Sequence, residues 1–183
     1  MTRDEALALV GDLIKNPNLV KHHLAVEAVM RALAGRFGED EETWGLVGLL
    51  HDADYELTGH DAERHGRVMA EKLRERGVDE VVIEGVMAHN EALGIPRDTN
   101  LKKAIYACDE LTGLIIAAAL VHPEKKLAPL DTPFILNRFK EKSFARGARR
   151  EQILTCSELG MELPEFIDVC LDAMKGIASD LAL

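Results

Sequence analysis

The sequence predicts an all-α fold, on three observations. Alanine, leucine and glutamate dominate the composition and aromatic residues make up only 4% of it, a balance that favours helix over sheet. Apolar residues recur at three- and four-residue spacing, the period of one face of a helix. Glycine, proline and asparagine fall between these periodic stretches, where helices start and stop.

The elements follow in order. The opening segment, MTRDEALALVGDLIK, carries acids where a signal peptide would carry a basic and then an apolar run. Asn16-Pro17-Asn18 opens a helix over about 19–35, and residues 38–42 separate it from a third helix ending in Leu49-Leu50-His51-Asp52. A polar loop follows, then a helix over about 61–76 closed by Gly77. Another runs from near Asp79 to before Gly94-Ile95-Pro96, and a long one over 99–121 is stopped by His122-Pro123. The final third reads as shorter helices beginning near Thr132 and Arg149, and a terminal helix beginning near Pro164.

The 183 residues, 47% of them apolar, fit one domain with a substantial core. Its expected layout is a core over about 19–121 and a C-terminal helical extension over 122–183. The formal charge of −10 argues against a protein that coats nucleic acid, because phosphate binding needs basic surface. The longest unbroken apolar stretch, Leu114 to Val121, is too short to cross a bilayer. Cys108, Cys156 and Cys170 are odd in number and lack paired zinc spacing, so they read as ordinary thiols. A cytoplasmic protein without membrane partners is the expectation, with homo-oligomerisation left open.

Function is signalled by polar residues that interrupt apolar stripes. His22 lies on the face marked by Leu19, Val26, Val29, Met30 and Leu33. His89 continues the row Val82, Val86, and His65 begins the row His65, Met69, Leu73. Asp109 lies within the stripe Ile105, Cys108, Thr112, Ile115, and His51-Asp52 follows the apolar run Leu46 to Leu50. A buried aspartate without a partner costs roughly several kcal/mol, so it needs a cation or dense hydrogen bonding. One histidine on an apolar face is commonly a hydrogen-bonded core residue. Four histidines and two aspartates spread over five predicted helices call for a shared cation. Neighbours on a helix point about 100° apart, so His51 and Asp52 face one ion most easily where their helix ends.

These residues resemble the HD superfamily, named for its His-Asp doublet. His22-His23-Leu24-Ala25-Val26 looks like its opening H-x-x-x-V helix, and Gly48-Leu49-Leu50-His51-Asp52 like the doublet itself. The stretch from His65 to Leu73 is similar to the H-x-x-x-G-A-E-x-L helix of two-metal members, with Met69 replacing the usual glycine. Ala88-His89-Asn90-Glu91 matches the second extra histidine, and Ala107-Cys108-Asp109-Glu110-Leu111 the closing aspartate helix. The five motifs occur in the family's order over roughly 19–121, and the chain resembles small stand-alone bacterial hydrolases of HDIG type. The doublet continues as Ala53-Asp54-Tyr55, which puts Tyr55 where some relatives place a phosphate-holding lysine, and no GYP signature follows.

The resemblance implies an HD-domain helical bundle and a metal-dependent phosphohydrolase that uses a metal-activated hydroxide. His22, His51, Asp52 and Asp109 would surround a first metal, and His65 and His89 would hold a second with Asp52 bridging. His23 is an alternative to His22, and His60 to His65. Mixed imidazole and carboxylate ligands suit one or two divalent ions of iron, manganese, cobalt, nickel or zinc. Asp52 and Asp54 are the candidate catalytic residues. Asp54 or Glu56 would orient water or substrate, although a solvated loop is the plainer reading of both. Substrate phosphate needs cations, and residues 138–150 hold six of them against Glu141 alone. Within that cluster Lys142, Arg146, Arg149 and Arg150 are candidates to bind a small phosphorylated substrate, the alternative being a solvated helix face. Two other readings stay open: a di-iron oxygenase on the same scaffold, and a signalling protein that keeps the metal without turnover. His122 reads as a helix terminus and Trp44 as core packing.

Overall fold

The computed structural model describes residues 1–59 and 61–183. His60, the alternative to His65, lies outside the described residues. Among them every regular element is helical and there is no strand.

Helix α1 (Arg3–Leu13) starts at a capping box in which Thr2 and Glu5 satisfy each other's backbone N–H groups. Helix α2 (Pro17–Phe37) has Asn16 as its cap, Pro17 in its first turn and Gly38 in the left-handed region at its end. Helix α3 (Glu41–Leu50) is capped by Asp40. The α2–α3 contact is the most extensive in the molecule. Gly48 makes it possible, since a Cβ there would lie 2.8 Å from the Val26 carbonyl oxygen and 2.9 Å from the Glu27 Cα. Backbone approach of this kind places the end of α3 under the first turns of α2.

A short turn of helix, α4 (Tyr55–Thr58), follows the doublet, then α5 (Arg67–Glu75), α6 (Glu80–Ala88) and a 3₁₀ turn (Glu91–Leu93). Residues 61–66 are turns rather than the expected start of a helix. The Asp61 carboxylate takes the N–H groups of Glu63 and Arg64, and Gly66 sits at φ 82°, a conformation that ends any helix approaching it from the N-terminal side. His65 therefore stands on a turn.

Helix α7 (Asn100–Val121) is capped by Thr99 and packs against α2, α3 and α6. By length and hydropathy it would pass as a membrane span, with a mean hydropathy of 1.7, but 61% of that window is buried inside the bundle. The remaining elements, α8 (Thr132–Lys140), α9 (Arg150–Leu154), a 3₁₀ turn (Thr155–Leu159), α10 (Leu163–Gly176) and α11 (Ala178–Leu181), close over α7 and α2. One apolar cluster joins them all, from Ala6 through Val29, Leu49, Leu111 and Phe166 to Leu181, with Trp44 inside it. The three cysteines are free and buried, and burial pushes their thiols up, Cys156 to about 11.

Candidate metal centre

The ends of three helices meet beside Asp52. His51 is the C-cap of α3, so the helix has ended where the doublet begins and both side chains turn inward. His51 Nε2 lies 3.6 Å from Asp52 Oδ1 and 3.5 Å from Asp109 Oδ1. His22, from α2, brings its Nε2 to 3.0 Å from Asp109 Oδ1 and 4.0 Å from Asp52 Oδ2. His23 points elsewhere: it is fully buried, its Nδ1 donates to the Leu49 carbonyl, and burial first, then His51, pushes its pKa down to about 3.

On the other side of Asp52 stand His65 and His89. Each places its Nε2 3.1 Å from Asp52 Oδ1, and the two Nε2 atoms are 2.8 Å apart. Thus the structure brings together all six residues singled out from the stripes. Two groups of three, His22–His51–Asp52 and Asp52–His65–His89, have their ligand atoms within 4.8 Å of one another and share the aspartate.

The protons on the imidazoles settle what this cluster can hold. A backbone carbonyl only accepts, so His51, bonded to Gly48 O at 2.8 Å, and His89, bonded to Val86 O, carry a proton on Nδ1. The Thr112 hydroxyl donates to the Asp109 carbonyl at 2.7 Å and so accepts from His22 Nδ1. His65 Nδ1 donates to Asp54 Oδ1 at 2.7 Å. Each ring, when neutral, therefore carries its lone pair on Nε2, facing the aspartates. Two such lone pairs 2.8 Å apart repel unless a proton or a metal ion stands with them, and among the described residues the Nε2 of fully buried His51 has no well-formed hydrogen bond. The donor set fits a divalent transition metal.

Without metal the charges are balanced by protons. Burial acts to lower the His51 and His65 pKa values, but Asp52 with Asp109 lifts His51 to about 9, and Asp52 with Asp54 lifts His65 to about 10. Burial acts to raise Asp52, yet His51, His65 and His89 hold it well below the usual carboxylate range. Asp109 is held down by His22 and His51 against the same burial.

Asp54 is not on a solvated loop. It is fully buried, one oxygen taken by His65 and the other by the N–H groups of Gly66 at 2.9 Å and Met69 at 2.8 Å. It is absent from the cavity wall, and its contacts hold His65 and the start of α5 rather than facing the open space where the sequence reading put a catalytic group. Glu56 is exposed and accepts from the backbone N–H groups of Lys15 and Asn16, tying α4 to the α1–α2 turn. Thr112 and Asn90 were missed as functional residues. Thr112 reads as one more small member of an apolar stripe, and its hydroxyl was the only signal. Asn90 donates to the carbonyls of Ala62 and His65 and so pins the His65 turn to the residue after His89.

A cavity of about 550 Å³ opens over the cluster, bounded by Tyr55, Glu110, Gly113, Arg149 and the backbone around Gly147. The Tyr55 ring stands edge-on to His65 at 5.5 Å. Of the four basic candidates only Arg149 lines this space, ion-paired to Glu91 at 2.9 Å and Glu110 at 3.2 Å and bonded to Gln152. Lys142 and Arg146 are exposed and off the cavity wall. Arg150 is committed elsewhere: its guanidinium donates to the carbonyls of Phe139, Ala145, Ala148 and Phe144 and closes the 138–148 segment into a loop. A run of charge in sequence cannot tell a guanidinium that faces solvent from one that folds the loop around itself.

The HD-domain family model matches residues 19–114, just over half of the chain. The chain belongs to the HD-domain family. No match came from comparison with curated proteins or with solved structures. The matched HD-domain span contains all six clustered residues, from His22 in α2 to Asp109 in α7. Arg149 and the loop closed by Arg150 lie beyond it, so one wall of this HD domain's cavity is built by the C-terminal helices.

Proposed function

We propose that this HD-domain protein is a cytoplasmic, metal-dependent phosphohydrolase that cleaves a phosphate ester of a nucleotide or a small phosphorylated metabolite. The observation that carries the reading is the pair of histidine groups sharing Asp52 at the floor of a cavity with a guanidinium on its wall. His22, His51, Asp52 and Asp109 would hold one ion, and Asp52, His65 and His89 a second. Such ions, when bound, supply an activated water and neutralise charge that develops on the phosphoryl group.

The chain's own part is to orient and to select. Nδ1–H bonds fix each imidazole with Nε2 inward, so no ligand has to reorganise when an ion arrives. Arg149 would meet the phosphate, exchanging its contacts to Glu91 and Glu110 for a bidentate pair with two phosphate oxygens. Tyr55 and Gly113 leave room for the organic part of the substrate.

The test is a phosphate-release screen across nucleotides and sugar phosphates on protein supplied in turn with manganese, cobalt, nickel, iron and zinc, with oxygen uptake followed in parallel. Metal-dependent phosphate release that chelator abolishes is the expected result. Arg149→Ala should raise KM roughly 10-fold or more, the worth of a charge-assisted hydrogen bond, and leave metal content unchanged. Oxygen uptake without phosphate release would replace hydrolysis by oxidation.

A further inference from the structure

We infer that Asp54 is a positioning residue whose carboxylate fixes the ring tautomer and orientation of His65 and thereby makes the second metal position usable. The inference rests on the two-ion reading above. Its basis is the arrangement of donors around one fully buried carboxylate.

Asp54 Oδ2 receives two backbone N–H groups, from Gly66 at 2.9 Å and Met69 at 2.8 Å. These are orphan donors of the first turn of α5, whose own N-cap, Gly66, has no side chain to satisfy them. Asp54 therefore caps α5 from a distant part of the chain. Its Oδ1 takes the proton on His65 Nδ1 at 2.7 Å. One carboxylate thus fixes both the helix that follows His65 and the ring of His65 itself. In the neutral ring it is then His65 Nε2 that carries the lone pair, directed at Asp52 and His89.

Among the described residues, each group bonded to the Asp54 carboxylate is a donor, so a side chain with acceptors on both sides fits. Asparagine has the same shape but one acceptor. The two backbone N–H groups would claim its carbonyl oxygen, which leaves the amide NH₂ facing His65 Nδ1. That nitrogen would have to accept, and the ring proton would move to Nε2. The lone pair that faces the second metal position would be gone, with hardly an atom displaced. His22, His51 and Asp109 make no contact with Asp54 among the interactions described, so the first position should not feel the change.

The experiment compares wild type, Asp54→Asn and His65→Ala, each stripped and then titrated with zinc, with two-bond ¹H–¹⁵N spectra of the histidine rings in the zinc-loaded proteins. Wild type should take up two ions, with His65 protonated on Nδ1. Asp54→Asn should bind the first ion with unchanged affinity and the second at least ~10–100-fold more weakly, the cost usual for a lost partner of a metal-bound histidine. Its His65 nitrogen shifts should report the proton on Nε2. Two ions at wild-type affinity, or His65 still protonated on Nδ1, would overturn the inference. A wild type that binds one ion would instead remove the two-ion reading, and the metal half of this inference with it, while the ring shifts still decide Asp54's role. If Asp54→Asn does not fold, the wild-type ring spectra still decide: a His65 proton on Nε2 rather than Nδ1 would overturn the inference.

Discussion

The two halves of the histidine cluster are built differently. His22, His51 and Asp109 belong to α2, the end of α3 and α7, helices locked together by the central core and by the close approach at Gly48. His51 shows no exposed surface, and its ring is held by a carbonyl one turn back in its own helix. His65 stands on a turn outside any helix. Asp54 tethers its ring and Asn90 its backbone. The first half is a by-product of packing that the fold needs anyway. In the second, His89 is held as His51 is, by a carbonyl one turn back in α6, but His65 depends on a few hydrogen bonds, so the two halves should come apart under mutation.

The largest effect should fall on the residue the halves share. Replacing Asp52 with Ala removes an oxygen from both groups at once and leaves four imidazoles, two of them buried, without their central carboxylate. Metal content measured after purification should fall to background, and turnover by more than the ~10–100-fold typical of outer-shell changes. Retention of one full ion would show that the halves do not meet at Asp52.

A pH titration separates protons from metal. His51 and His65 titrate near 6.5 when unfolded but at about 9 and about 10 in the folded, metal-free chain. Groups raised in this way stabilise the fold fully below pH 6.5 and lose that contribution as pH rises through 9 to 10. Metal-stripped protein should therefore melt at progressively lower temperature across this window. Metal affinity should move oppositely, because each ion displaces these protons, and it should climb by up to ~10-fold per pH unit for each proton released. An affinity that stays flat between pH 6.5 and 9 would mean that the histidines are already neutral.

The smallest effect should come from Thr112. Thr112→Val keeps the shape but leaves His22 Nδ1 without its acceptor, so the first ion should weaken by about 10-fold, the low end for such partners. The second should be unaffected, the reverse of the Asp54→Asn pattern, and calorimetric titration of both variants reads the two patterns side by side.

What the sequence made legible follows the same division. Helical period and punctuation reveal the all-α fold, and a polar residue inside an apolar stripe is conspicuous, so His22, His89 and Asp109 stood out. Residues 61–66 were misread as helix because the downstream row His65, Met69, Leu73 has helical spacing, while the left-handed Gly66 that breaks it looks like any other glycine. Asp54 was read as loop because its neighbours are polar, and its partners arrive only in three dimensions, 11 to 15 residues further on. Arg150 shows the same limit, since its carbonyl partners leave no mark on a side-chain pattern. Packing writes a periodic signal into sequence, whereas a tether made to backbone atoms writes almost none.

The central claim is that Asp52 joins two metal positions. Crystals of the wild-type chain grown with saturating manganese, with diffraction recorded so that the metal's anomalous signal is measured, test it most directly. Two anomalous peaks are expected on either side of Asp52, one touching His22, His51 and Asp109 and the other His65 and His89. A single fully occupied peak, with His65 and His89 still bonded to each other or turned away, would contradict it.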